Sequence, residues 1–228
     1  MNAPAVWGAN RSLRGSGVNK RTAQRLFERL RGERPEPRGE LVWSTPFELL
    51  VAVVLSAQAT DRSVNQATAT LFRVAATPAA VVALGEQGLI PYIRHIGLYN
   101  GKARHLVAAA KMLVAEYGGV VPDDRAALMR LPGVGRKSAN VILNNAWGAA
   151  TIAVDTHVFR VANRTGLASG RTPGEVERGL MAVVPEEFLR DAHHWLILHG
   201  RTTCTARKPR CTNCVIAAEC AYDAKTAA

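Results

Sequence analysis

Leu131-Pro-Gly-Val-Gly-Arg-Lys-Ser-Ala-Asn140 is the stretch on which the reading of this chain turns. Before it, Asp124-Arg-Ala-Ala-Leu-Met-Arg130 has the pattern of a short amphipathic helix. Pro132 cannot continue that helix, because it has no backbone N–H to donate. Gly133 and Gly135 then admit backbone conformations that a Cβ forbids. A helical pattern resumes from Arg136 to Trp147, with Val141 and Ile142 in its apolar part. The expected unit is helix, glycine hairpin, helix. Such a hairpin aims backbone N–H groups and the positive end of the second helix outward, which suits a phosphate oxygen. Alone, the two glycines are weak evidence, since a turn that merely packs two helices reads the same way.

Two further residues shift the balance. Lys137 falls in the first turn of the second helix, where a cation opposes the macrodipole at a cost of a few tenths to about 1 kcal/mol. It either extends into solvent or has another task. Asp155 follows the apolar Thr151-Ile-Ala-Val154 and opens a helix over Thr156–Thr165, a place where aspartate is a common N-cap. The hairpin, Lys137 and Val154-Asp-Thr-His-Val158 together resemble the signature of the helix-hairpin-helix DNA glycosylases. In that family a lysine beside the hairpin and an aspartate in the second motif face each other across the active-site cleft. The resemblance therefore implies Lys137 and Asp155 as the catalytic pair.

The 228 residues suffice for one large domain or two small ones. With 48% hydrophobic and 21% charged residues the composition is that of an ordinary globular protein. No apolar run approaches the roughly 20 residues of a membrane helix, and Met1–Gly17 lacks the apolar core of a secretory signal, so a cytoplasmic location is expected. The formal net charge of +11 points to an anionic polymer as partner. Its distribution is uneven: residues 1–38 carry nine Lys/Arg against three Asp/Glu, and residues 201–228 five against two. Nine of the eleven excess charges thus lie at the chain ends. If the ends meet, they form the electrostatic clamp; a basic surface that serves solubility alone is the bland alternative.

Along the chain, residues 1–17 read as a disordered basic arm. Asn19 is placed to cap a helix to about Arg31, and Glu33–Gly39 reads as a linker. Thr45-Pro-Phe-Glu48 is a capping box with proline at the first helical position, opening a buried helix to Ala57. Asp61 is expected to cap the next helix, through Phe72, and Thr77-Pro78 to open another short one. Ile96–Lys102 reads as a loop, and the helix after it stops at Glu116-Tyr-Gly-Gly119. Thr172-Pro-Gly-Glu175 is a second capping box, and Pro185–His199 the last long helix. No β alternation is present. The expectation is an all-α chain of about ten helices.

All four cysteines fall between Cys204 and Cys220, at spacings C-x6-C-x2-C-x5-C: Cys204, Cys211, Cys214 and Cys220. Four thiolates so close repel unless they share cations, so metal ligation is the natural account. Zinc is the generic reading, but the spacing departs from paired CxxC ribbons. It resembles the 4Fe–4S loop of the endonuclease III-type members of the same family, and cysteine thiolates are the usual ligands of such clusters. Arg207, Lys208 and Arg210 lie inside the loop with no acidic residue among them. The family uses such cations on phosphates; they also balance the cluster's charge.

Traced from about residue 20 to 222, the resemblance implies a two-domain fold. A six-helix barrel domain would span 39–149, and 18–38 with 150–228 would form the iron–sulfur domain, with the cleft between them. It implies a bifunctional glycosylase and abasic-site lyase acting as a monomer on double-stranded DNA. Gln58 would fill the space left by a flipped nucleotide, and Leu98 would wedge the duplex, although a helix-end polar residue and a loop-anchoring leucine are the plain readings of those positions. Gly133, Gly135 and Arg136 would hold phosphate beside the lesion. Lys137 as a free amine would attack C1′, with burial, Arg136 and the helix N-terminus expected to favour its neutral form. Asp155 would stabilise the cationic sugar. Relatives acting on adenine usually lack the lysine, and those acting on 8-oxoguanine lack the four cysteines. Having both implies oxidised or ring-saturated pyrimidines of the thymine glycol type. Pyrimidine-dimer or T·G-mismatch specificity, a non-catalytic DNA-binding module and a zinc-stabilised nuclease are the alternatives.

Overall fold

A computed structural model describes residues 18–37 and 39–225, so the arm expected over 1–17 lies outside the described residues. Eleven α-helices and one 3-10 turn make up the ordered elements, and no strand occurs among the described residues. The first helix, α1 (Lys20–Glu33), starts where the Asn19 carboxamide oxygen accepts the Thr22 N–H at 2.9 Å. Its stripe of Ala23, Leu26, Phe27 and Leu30 is buried.

The helix α2 (Pro46–Leu55) is buried from Phe47 through Leu55, as its continuous apolar sequence requires. Thr45 caps it, but the Glu48 carboxylate accepts the N–H of Ser44 at 2.6 Å, one residue earlier than the capping-box pairing. Thr60, not Asp61, caps α3 (Asp61–Leu71), because its hydroxyl accepts the Ser63 N–H at 3.2 Å. In place of a short helix, α4 (Pro78–Ile93) runs sixteen residues with a kink at Gly85, whose φ of 66° breaks the helical path. The next helix, α5 (Tyr99–Tyr117), begins inside the stretch read as loop, and α6 (Arg125–Arg130) and α7 (Arg136–Trp147) flank the hairpin as expected.

Beyond the hairpin come α8 (Thr156–Thr165) and α9 (Pro173–Val183), the latter opened by the full Thr172–Glu175 capping box. The long helix expected over 185–199 is instead two, α10 (Glu186–Leu189) and α11 (Ala192–Thr202). Two turns of straight helix would hold Phe188 and Trp195 about 10 Å apart. The break at Arg190-Asp191 brings their rings to 5.9 Å edge-on, with Phe27 stacked on Phe188 at 5.6 Å.

Two separate apolar cores result. The six helices α2 to α7 enclose one, centred on Leu49, Leu50, Leu55, Leu89, Ile93, Leu113 and Ile142. The other joins α1 to α8 through α11, around Phe27, Val158, Val161, Phe188, Trp195 and Ile216. The buried segment Thr151–Val154, outside any helix, joins α7 to α8. Asn140 and Asn144, one turn apart on α7, hold it: their amides donate to the carbonyls of Ile152 and Thr151, each at 3.2 Å. That bracing sets where α8, and with it Asp155, begins.

Candidate functional site

The cleft where the two cores face each other has a cavity of about 130 Å³, lined by Leu49, Val53, Lys137 and Asn145 from one side and by Asp155, His193, His194 and Arg201 from the other. Lys137 and Asp155, eighteen positions apart in sequence, therefore share one space. Asp155 does cap α8: its Oδ1 accepts the N–H groups of both His157 and Val158 at 2.8 Å. Both bonds use one oxygen, so Oδ2 takes no part in the cap. Capping and a role in the cleft are thus compatible.

Lys137 is the second residue of α7 and is exposed. The burial expected above for Lys137 is therefore absent. Nor does Arg136 offer an unpaired charge beside it. The Arg136 guanidinium donates Nε–H and Nη2–H to the two oxygens of Glu177 at 2.8 and 2.9 Å, a bidentate pair reaching from the hairpin to α9. Arg125 stands 3.7 Å from the same carboxylate. Burial alone would raise the Glu177 carboxyl, but the bonds from Arg136 and the two nearby cations outweigh it and hold the group below its ordinary value. Arg136, expected to meet DNA phosphate, is held by Glu177 here.

The hairpin itself divides its two glycines. Gly133 has φ of 84°, which favours glycine, and a Cβ there would press on the Cβ of His105 at 3.0 Å. Gly135, contrary to expectation, has φ of −93°, which any residue adopts, and open space around it. What its missing side chain leaves is a bare N-terminus: α7 has no side-chain cap, so the first-turn N–H groups remain open to an incoming anion.

Gln58 and Leu98 are the described non-glycine residues with positive φ, at 53° and 62°. Each such conformation costs about 1–3 kcal/mol and clusters at functional sites. Both residues are exposed, Leu98 to 65%. Their loops adjoin, since a Cβ on Gly97 would lie 3.8 Å from the Gln58 carbonyl. A strained, protruding leucine is not a loop anchor.

On the cleft wall His193 is buried and its ring lies 3.8 Å from that of His194. Burial first, then His194 and Lys137, keep the His193 imidazole well below its usual pKa and hence neutral. The sequence reading gave neither histidine a role. Two adjacent histidines on a largely apolar helix were the signal. Arg201 spans the cleft mouth, 3.5 Å from Glu40 and 3.7 Å from Asp61.

Cys204, Cys211, Cys214 and Cys220 all line one small cavity beneath α8 and α11, and none is in a disulfide. No group of three or more His, Cys, Asp or Glu among the described residues is drawn together as tightly as one metal ion requires. Burial pushes the thiols of Cys214 and Cys220 up, and the neighbouring cysteines add to it. Arg164 donates to Cys204 Sγ at 3.5 Å and to the carbonyls of Thr205 and Ala206 at 2.7 and 2.8 Å. Arg207, Lys208 and Arg210 are exposed on the outer side of the loop.

The model of the HhH-GPD superfamily of base excision DNA repair proteins matches residues 51–186. Endonuclease III of Escherichia coli K12 is 57% identical over 208 residues, covering 91% of this chain and 99% of the relative. Endonuclease III of Treponema pallidum is 58% identical over 84% of this chain and 90% of its own. A structure of a trapped endonuclease III–DNA covalent intermediate superimposes with a TM-score of 0.83 at 43% identity, over 90% of this chain and 96% of that one. A thermostable thymine-DNA glycosylase, at 24% identity and a TM-score of 0.78, shares the fold. Among the described residues no helix is long and apolar enough to cross a membrane.

Proposed function

From the premise that this chain belongs to the HhH-GPD superfamily and, within it, to the endonuclease III family, we propose how its residues divide the work. The chain is a DNA glycosylase and abasic-site lyase of base excision repair. A base stacked in a duplex is out of reach, so its nucleotide turns outward, at a cost of a few kcal/mol that a poorly stacked lesion lowers. Leu98 enters the duplex as the wedge and Gln58 occupies the vacated place, a reading supported by their strained backbones and exposure. The open N-terminus of α7, with Gly133 and Gly135, receives the phosphate beside the lesion.

Lys137 is assigned as the nucleophile. Its Nζ attacks C1′; the bond between C1′ and the base breaks, and the base leaves with that electron pair and a proton. Loss of a C2′ proton from the resulting Schiff base then breaks the C3′–O bond, cutting the strand on the 3′ side, and water releases the lysine. Asp155 Oδ2 faces the cationic sugar through both steps. The single observation carrying this reading is that the amine and the carboxylate share the interdomain cleft. The preferred lesion is read as an oxidised or ring-saturated pyrimidine, because the chain has both Lys137 and the four cysteines.

The donor set fits an iron–sulfur cluster. Four thiols outside any disulfide share one cavity, two of them in surroundings that disfavour a lone thiolate. Cys204, Cys211, Cys214 and Cys220 would be its ligands. Such a cluster supplies rigidity to the loop, holding Arg207, Lys208 and Arg210 as a fixed array for phosphates. The domain assignment follows the two cores: 39–149 as the barrel, 18–38 with 150–228 as the cluster domain.

The test is a labelled duplex with one thymine glycol, incubated with and without borohydride, beside Lys137→Ala. The expected result is a covalent adduct for the wild type alone and β-elimination product without borohydride. Alkali-labile sites without an adduct would remove Lys137 from its role. An adduct on a plain abasic site but none on thymine glycol would overturn only the substrate.

A further inference from the structure

Lys102 is a buried cation that nothing above employs. It is 5% exposed, and its ammonium donates to the carbonyl of Leu55 at 2.9 Å. Burial pulls its pKa below the usual lysine value. Leu55 is the last residue of α2, where a cation suits the helix dipole, but a serine or a water satisfies an orphan carbonyl at far less cost in desolvation.

Its position gives the reason. Gln58 comes three residues after Leu55, and Leu98 four before Lys102, whose own N–H donates to the Leu98 carbonyl at 3.1 Å. One turn further along the same face, the Cβ of His105 closes on Gly133 of the hairpin. Lys102 and His105 of α5 therefore reach, respectively, the end of α2 that leads to Gln58 and the hairpin, while Leu98 stands at the N-cap of the same helix. Val54, Ala57, Leu98, Lys102, His105 and Gly133 line a single groove.

We infer that Lys102 is a positioning residue: its tie to Leu55 sets the Gln58 loop against the Leu98 loop, so that both enter a duplex as one unit. This rests on the wedge roles proposed above. Lys102 touches neither Lys137 nor the cleft cavity, so the lyase chemistry itself stays independent of it.

The experiment compares borohydride trapping on a duplex and on a single strand, each with one abasic site, for wild type and Lys102→Met. A single strand needs no wedge. Methionine fills the same space without the donor, and removing a buried charge is compatible with unchanged or higher stability. The duplex rate should fall about tenfold or more, in line with a lost hydrogen bond from a charged group. The single-strand rate should stay within about twofold of wild type. Parallel loss on both substrates, or no loss on the duplex, overturns the inference. Lys102→Gln, which keeps a donor on a shorter stem, should fall between on the duplex; equal loss on both substrates there overturns it as well. No adduct from the wild type on either substrate would instead bring down the lyase reading itself.

Discussion

Replacing Glu177 with glutamine tests what joins the two cores beside the hairpin. The Glu177 side chain is 9% exposed, while Arg136 is half exposed and Arg125 is 37% exposed. A buried hydrogen bond to a charged group is worth about 1.5–3 kcal/mol, whereas an exposed ion pair gives about 0–1. The pair lies between these limits, and glutamine keeps one acceptor, so the loss should be about 1–2 kcal/mol at neutral pH. For a chain of this size that lowers Tm by about 2–8 °C. The dependence on pH has a definite sign. The folded-state pKa of Glu177 lies below the ordinary 4.5, so its contribution is present above that value and fades as the pH falls below it. Urea unfolding followed by circular dichroism should show a gap between wild type and E177Q at pH 7.5 that closes below about pH 4.5. A gap unchanged by pH, or none at pH 7.5, would refute the reasoning. E177Q also frees the Arg136 guanidinium, so its binding to abasic DNA should steepen with log salt by about 0.9.

Other substitutions separate roles that coincide in one residue. Asp155→Asn keeps an equally good N-cap, so stability should change by less than about 0.5 kcal/mol, while adduct formation drops about a hundredfold or more. Similar losses in both would make Asp155 a cap only. Leu98→Gly relieves a left-handed backbone at a residue with little buried surface, and should raise stability by up to about 1 kcal/mol after the entropy of glycine is counted. Its activity on duplex DNA should fall, and unchanged activity would dismiss the wedge. Changing Arg207, Lys208 and Arg210 together to serine should reduce the salt slope of DNA binding by about 2.7, with the absorbance near 400 nm retained. A colourless, zinc-loaded wild-type protein would eliminate the cluster.

The hairpin, Asp155 and the cysteine loop were legible because each is a local pattern whose spacing alone limits what the backbone does. Helix starts were legible for the same reason wherever Thr-Pro pairs stood. Long-range partners were not. Nothing near Arg136 in sequence announces that Glu177, 41 residues on, takes its guanidinium. The burial foreseen for Lys137 is absent because the residue stands in the first turn of α7 at the open cleft, which local sequence does not reveal. Lys102 reads as the end of a polar loop until the fold makes it part of α5 and turns it onto Leu55. The break at Arg190-Asp191 was hidden because ring packing across to α1 decides it, against helix-forming residues on both sides.

The packing of α1 against α11 has a consequence for how the chain is made. The Trp195 indole N–H donates to the Arg34 carbonyl at 2.8 Å across 161 residues, and Glu219 pairs with Arg29 of α1 at 3.0 Å. On the ribosome, α1 emerges before these partners have been made. The α2–α7 core is contiguous in sequence and can close while synthesis continues. The second core must wait for Ile216 and Glu219, and its non-local contacts make it the slower step. Helix α1 is thus made well before the partners it docks on, and until then Leu26, Phe27 and Leu30 stay uncovered.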